Sequence, residues 1–324
     1  MKTIVAGYTC APAGPGAEAA YYRRLATTPH AEGVALAWRN TSTAARTGDI
    51  LDLLPPDWTV ALTAIAATYP AWLADRTFGL ASPDPDGRAA ATAMAREIAE
   101  GVRRINDRAG RAAVLAVEFQ SAPGYGNHPP RPDPGAFRRS LTEIADLGWD
   151  GAALLVEHCD TPVPGRVPVK GFLALDQEID AVASLAGSGI GLSLNWGRSL
   201  LELRDPDRVA DHAAQAAASG LLRAFTLSGN GDGASAHGAA WDDTHLPFAD
   251  ALDDRYAEPT SLLTTARAER SLAHLCDPLF VAVKTGWPAE RTDPAERAAA
   301  VRANFATGVA VIDRIGLRRN GTDD

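Results

Sequence analysis

The stretch "LLVEHCDTP" (residues 154–162) decides how the chain folds. Its first half continues the apolar run "GAALLVE" (151–157); its second half turns abruptly to Glu157, His158, Cys159 and Asp160. An unbroken apolar run of this length suits a strand covered on both faces, as in a parallel sheet under helices. The polar tail then marks where the strand leaves the core. Working outward, the same unit recurs. Candidate strands are "TIVAGYT" (3–9), "GVALAW" (33–38), "WTVALTAI" (58–65), "AVLAVEF" (113–119), "IGLSLNW" (190–196), "LRAFTLS" (222–228) and "PLFVAVK" (278–284). Helical patterns lie between them, at 87–110, 134–149, 176–187, 206–220 and, after the last strand, 293–317; most end in or near Gly, a common helix terminator. Eight strand–helix units in 324 residues predict a single (β/α)8 barrel spanning 1–317, with 318–324 a disordered tail. A doubly wound open sheet is the competing fold, but "AGYTCAPAGPG" after the first strand lacks the G-x-G-x-x-G phosphate fingerprint. Residues 66–87 and 229–258 read as long loops at strand C-terminal ends, where a barrel builds its active site.

Composition narrows the function. Hydrophobic residues make up 46% of the chain, enough for a large core. A formal net charge of -9 with no Lys/Arg block argues against a nucleic-acid binder. Three widely spaced cysteines give neither a disulfide framework nor a zinc pair. No apolar run is long enough for a signal peptide or a membrane span, so the expectation is a soluble, cytoplasmic protein.

In a barrel, groups far apart in sequence meet at one mouth. Strand four ends in Glu118 and Gln120, strand five in Glu157, His158 and Asp160, and strand six in Asn195, Trp196 and Arg198. Strand seven ends in Ser228 and Asn230 before "WDDTHLPF" supplies Asp243 and His245; strand eight ends in Lys284 and Trp287. Each has a plain structural reading. Glu157 could pair with Arg198, His158 and Asp160 could cap a turn, and Lys284 could be an internal ion-pair partner. Arg198 and Glu202 could form a surface pair four apart, His245 could be simply solvated, and His212 could be structural. Cys159 lacks an activating partner and is not read as a nucleophile. Taken together, carboxylates, histidines and a lysine converging with Trp38, Trp196, Trp241 and Trp287 suit a carbohydrate-like small molecule.

The blocks "VEHCD", "KGFLALDQEI", "NWGRSLLELR" and "WDDTHLPF" resemble the bacterial family called domain of unknown function 4862, within the xylose-isomerase-like TIM barrels, over essentially the whole chain. The resemblance implies the fold. Sugar-handling members of that superfamily hold a divalent metal by a Glu ending strand five, an Asp ending strand six, a His ending strand seven and a Glu ending strand eight. Here Glu157 matches the first position; Asn195, Ser228 and Lys284 occupy the other three. A metal, if kept, would need Glu157, Asp160, Asp243 and His245; if lost, Lys284 would stand in as a fixed cation facing Glu157.

The expectation is therefore an isomerase or epimerase of a sugar or polyol. Glu157 is the proton-abstracting base, Lys284 or a metal the oxyanion stabiliser, and His158 and His245 the proton carriers. Glu118, Asp160, Asn195, Trp196, Arg198, Ser228, Asp243 and Trp287 bind substrate. The rivals are a Schiff-base lyase or aldolase using Lys284, and a non-catalytic sugar-binding barrel; a nuclease lacks the groups to hold phosphates. The final helix closes the barrel or serves a homodimer, and closure is the favoured reading.

Overall fold

Every apolar run named above becomes a strand of five or six residues in the computed structural model, which describes residues 1–125, 130–185, 187–288 and 290–317. The tail predicted at 318–324 lies outside the described residues. In order come β1 (Lys2–Ala6), α1 (Pro15–Leu25), β2 (Gly33–Ala37), α2 (Thr43–Leu51), β3 (Thr59–Thr63), α3 (Ile65–Ala74), α4 (Pro85–Ala109), β4 (Val114–Phe119) and α5 (Pro134–Ala145). They are followed by β5 (Ala153–Glu157), α6 (Leu175–Ala183), β6 (Gly191–Asn195), α7 (Trp196–Leu203), α8 (Val209–Ala218), β7 (Leu222–Leu227), α9 (Thr265–Leu272), β8 (Phe280–Lys284) and α10 (Pro294–Arg314). The eight strands form a closed parallel barrel in sequence order, sealed by β8 against β1 from Phe280↔Lys2 to Lys284↔Ala6.

Strand alternation separates two cores. Ile4, Ala6, Ala35, Ala61, Ala116, Leu155, Ala224, Phe280 and Ala282 pack inside the barrel. Their immediate neighbours Val5, Val34, Leu36, Val60, Leu62, Val117, Val156, Phe225, Val281 and Val283 pack outward under the helices. Side chains of a strand point alternately to its two faces. Two residues beyond the last interior apolar position of a strand, the next inward side chain therefore lies at the mouth. Leu155 leads to Glu157, Ala282 to Lys284, Ala116 to Glu118, Ala61 to Thr63 and Ala6 to Tyr8.

Local chemistry sets the helix limits. Asp84 caps α4 by accepting from the Asp86 and Gly87 amides, and Gly110 ends it in the left-handed region (φ 65). Asp293 caps α10, with Pro294 in the first turn. α10 packs on β1, β8 and α1, so it closes the barrel. The predicted loop at 66–87 is corrected, because α3 occupies much of it. Pro70 is exposed within α3, while Thr68 and Trp72 bury the opposite face. No helix among the described residues is long and apolar enough to cross a membrane.

One close approach gives a stability test. A β-carbon at Gly101, in the middle of α4, would lie 2.2 Å from Cη2 of the buried Trp38 ring. Gly to Ala inside a helix normally stabilises by about 1 kcal/mol. Here the overpacking reverses the sign, and Gly101→Ala should cost about 1–3 kcal/mol, read as a lowered midpoint in thermal or urea unfolding.

Candidate active site

Glu157 is the hub of the mouth. Its Oε1 lies 2.5 Å from Arg198 Nη1. Its Oε2 accepts from Gln120 Nε2 at 2.7 Å and from the Thr63 hydroxyl at 3.3 Å. Burial works against its charge, but the Arg198 guanidinium, the Lys284 ammonium and these hydrogen bonds hold its pKa below the ordinary carboxylate value. Glu118, two residues before Gln120 on the same strand end, has the opposite fate. Burial and the neighbouring Glu157 charge push it up to about 8, although the Ser193 hydroxyl donates to Oε1 at 2.6 Å. The surroundings thus favour the ionised form of Glu157 and the protonated form of Glu118.

The cations come from three elements. Asn195 caps α7 by accepting from the Gly197 amide at 3.1 Å, and the first turn of α7 carries Arg198 back over the mouth. Arg198 is buried with Glu157, so its reading as a surface partner of Glu202 is corrected. Lys170 donates to Asp243 Oδ2 at 2.7 Å, and Arg198 Nε lies 3.6 Å from the same oxygen. Lys284 rests 5.1 Å over the Tyr8 ring. No carboxylate lies within ion-pair distance of its ammonium among the described residues, so Glu157 pairs with Arg198, not with Lys284. Burial and the Arg198 charge lower Lys284 to about 8 despite Asp243 and Glu157 nearby. Burial is outweighed at Asp243, where the Lys170 and Arg198 charges hold the carboxyl well below its usual range.

His245 joins this cluster, its Nδ1 sharing a hydrogen bond with the Ser228 hydroxyl at 2.9 Å and lying 3.4 Å from Asp243 Oδ1. Burial and the Lys284 charge keep its imidazole neutral. Its backbone is left-handed (φ 56), a conformation that costs a non-glycine residue on the order of 1 kcal/mol and gathers at functional sites. Gly286 supports it: its amide donates to the His245 carbonyl at 2.5 Å, and a β-carbon there would lie 2.3 Å from the Thr244 carbonyl oxygen.

Several expected members lie elsewhere. His158 follows Glu157 by one residue and so faces outward, its Nδ1 2.8 Å from Glu178 on α6 and its Nε2 3.1 Å from Glu202 on α7. Asp160 accepts from the Val169 amide at 2.6 Å and the Lys170 amide at 3.1 Å, holding the loop that carries Lys170. Trp38 and Trp196 pack in the outer core. Trp241 lies under Arg204, and Trp287 sits beside Tyr256, His237 and Arg291. The tryptophans therefore do not gather. Cys159 is buried and its thiol is pushed up, which leaves it protonated. The sequence reading named no role for Thr63, Gln120, Ser193, Lys170 or Tyr8; inward parity on their strands pointed to all but Lys170, which arrives on a loop.

The metal implied by the resemblance does not fit these residues. Three cations, Arg198, Lys170 and Lys284, surround Glu157 and Asp243, and both Glu157 oxygens already accept hydrogen bonds. The substitute set Glu157, Asp160, Asp243 and His245 is corrected too: among the described residues it does not bring its ligand atoms into one coordination sphere. Asp160 is held by backbone amides instead.

The closed parallel barrel and its polar mouth are those of a (β/α)8 barrel. The chain belongs to the domain of unknown function family DUF4862, whose model matches residues 4–300. It is 33% identical over 251 residues to Uncharacterized protein STM3670 of Salmonella typhimurium, covering 76% of this chain and 78% of that one. Among solved structures it is similar to the IOLI protein with a bound zinc atom (TM-score 0.63, 11% identity, 97% of this chain and 99% of that one). It is also similar to D-psicose 3-epimerase in the presence of D-fructose (TM-score 0.61, 12% identity, 96% and 99%). Identities this low speak for the fold alone.

Proposed function

We propose that the protein is an isomerase or epimerase of a small sugar or polyol that works with side-chain cations in place of a divalent metal at the barrel mouth. The observation that carries this reading is a pair of neighbouring buried glutamates in opposed surroundings, Glu157 bound to Arg198 and Gln120 and pushed toward the ionised form, Glu118 bound to the Ser193 hydroxyl and pushed up to about 8. Environments that drive two carboxyls apart assign a base and an acid. Glu157 removes the proton next to the substrate carbonyl, leaving an enediolate whose oxygen faces the Lys284 ammonium. Glu118 delivers a proton back to carbon or oxygen, and His245 with Ser228 binds a hydroxyl. Because Arg198 makes Glu157 a weak base, the step depends on stabilising the oxyanion. Three cations against two ionised carboxylates leave the mouth with one positive charge to do so. Sugar epimerases among the structural relatives are consistent with a carbohydrate substrate.

A second reading has its own support: Lys284 is buried, lacks a carboxylate partner among the described residues and is lowered to about 8, the state of an amine that can attack a carbonyl. Incubating the protein with a panel of ketopentoses and ketohexoses in D2O, with and without borohydride, separates the readings. Deuterium entering carbon-bound positions without a covalent adduct is the expected result. A reduced adduct on Lys284 would move the assignment to a Schiff-base lyase, and binding with neither signal to a sugar-binding barrel.

A further inference from the structure

A second cluster of ligand-type side chains lies on the far side of the barrel wall. His158 at the end of β5, Glu202 on α7 and His212 on α8 bring one ring nitrogen from each histidine and a carboxylate oxygen within 4.8 Å of one another. We propose that these three residues bind one divalent cation of the zinc class between the barrel wall and its helices.

The distances fit. Bonds of about 2.0–2.2 Å in a tetrahedron separate ligand atoms by about 3.3–3.5 Å. His158 Nε2 lies 3.1 Å from Glu202 Oε2, and His212 Nε2 lies 3.6 Å from Glu202 Oε1. The two rings meet edge to face, with centroids 5.5 Å apart. The surroundings resemble those of metal sites, where a ligating histidine gives its other nitrogen to a carboxylate. Glu178 does this for His158 at 2.8 Å, and the Thr161 amide fixes Glu202 by donating to Oε2 at 3.0 Å.

His212 supplies an independent observation. It is 7% exposed, and its Nδ1 has no hydrogen-bond partner among the described residues. Among the described residues its Nε2 makes no hydrogen bond, and it lies 3.6 Å from Glu202 Oε1. A histidine buried this far with so little to bond is otherwise a cost to the fold. A bound dication would use that Nε2, displace the proton shared by His158 and Glu202, and balance the charges of Glu178 and Glu202. Two imidazoles and a carboxylate favour zinc or cobalt over calcium or magnesium. The ion would join β5, α7 and α8, and so hold Arg198, one helical turn before Glu202, over Glu157.

Cobalt(II) is the probe, added to the chelator-dialysed full chain and followed by visible absorption and by mass spectrometry under native conditions. The expected result is one cobalt per chain with a low-coordinate visible spectrum, a raised melting midpoint, and affinity weakened about 100-fold or more in His212→Ala. That variant should fold, because it removes a side chain with no hydrogen bond; its metal-free circular dichroism and melting check this. Asp243→Asn, which alters the mouth, should leave cobalt binding unchanged. Absence of binding to the folded wild-type chain, binding untouched by His212→Ala, or loss only in Asp243→Asn would each overturn the site. The proposed chemistry at the mouth would be unaffected by the first two.

Discussion

Glu157→Gln will suppress deuterium entry into the substrate by about 10²–10⁴-fold, the usual contribution of a positioned base. The amide keeps the shape and the contact with Thr63, but it cannot take a proton. It also leaves the buried Arg198 guanidinium with Asp243, at 3.6 Å, as its remaining carboxylate neighbour. Breaking a buried pair in this way costs about 3–5 kcal/mol, so the melting midpoint should fall as well. The two effects separate if exchange is measured well below that midpoint and sugar binding is titrated on the same sample. A folded variant that binds and exchanges within about tenfold of the parent would remove Glu157 from the chemistry.

The second large effect belongs to Lys284. Replacing it by Met keeps the bulk and removes the charge, and turnover should fall about 10²–10³-fold, as when an oxyanion-stabilising donor is deleted. Stability should move the other way. The folded value near 8 lies below the unfolded value of 10.5, so burial of the ammonium destabilises the native state in full below pH 8. Between pH 8 and 10.5 the unfolded chain binds more protons, native stability rises with pH, and the penalty fades. Lys284→Met should therefore raise the melting midpoint at pH 7 by an amount that shrinks toward pH 10.5. The wild-type rate should fall above about pH 8, where Lys284 and Glu118 both lose their protons. An active, unchanged Lys284→Met variant would end the reading of this ammonium as the oxyanion partner.

The barrel was legible because each buried strand wrote itself as an unbroken apolar run, and the polar residue ending it marked the mouth. Glu157, Glu118, Asn195, Ser228 and Lys284 all follow from that rule. His158 did not, because adjacency in sequence is opposition across a strand: with Leu155 inward, Glu157 faces the interior and His158 the helices. Counting parity from Leu155 would have corrected this. Trp196 failed similarly, standing where β6 passes into α7 with its ring in the outer core. Lys170 was out of reach, since its loop is shaped by Asp160 binding two backbone amides, a contact with no periodic signature. The helix at 65–74 was missed because its apolar residues run all round it, with no polar face to set a helical period.

Gly286 has a wider consequence. Where it touches the Thr244 and His245 carbonyls there is no room for a side chain, and the segments leaving β7 and β8 meet backbone to backbone. A displacement of either segment therefore presses on the other, so the two are mechanically coupled. Insertions or deletions in one should be matched in the other among relatives, and any residue larger than glycine at the hinge should prop both ajar.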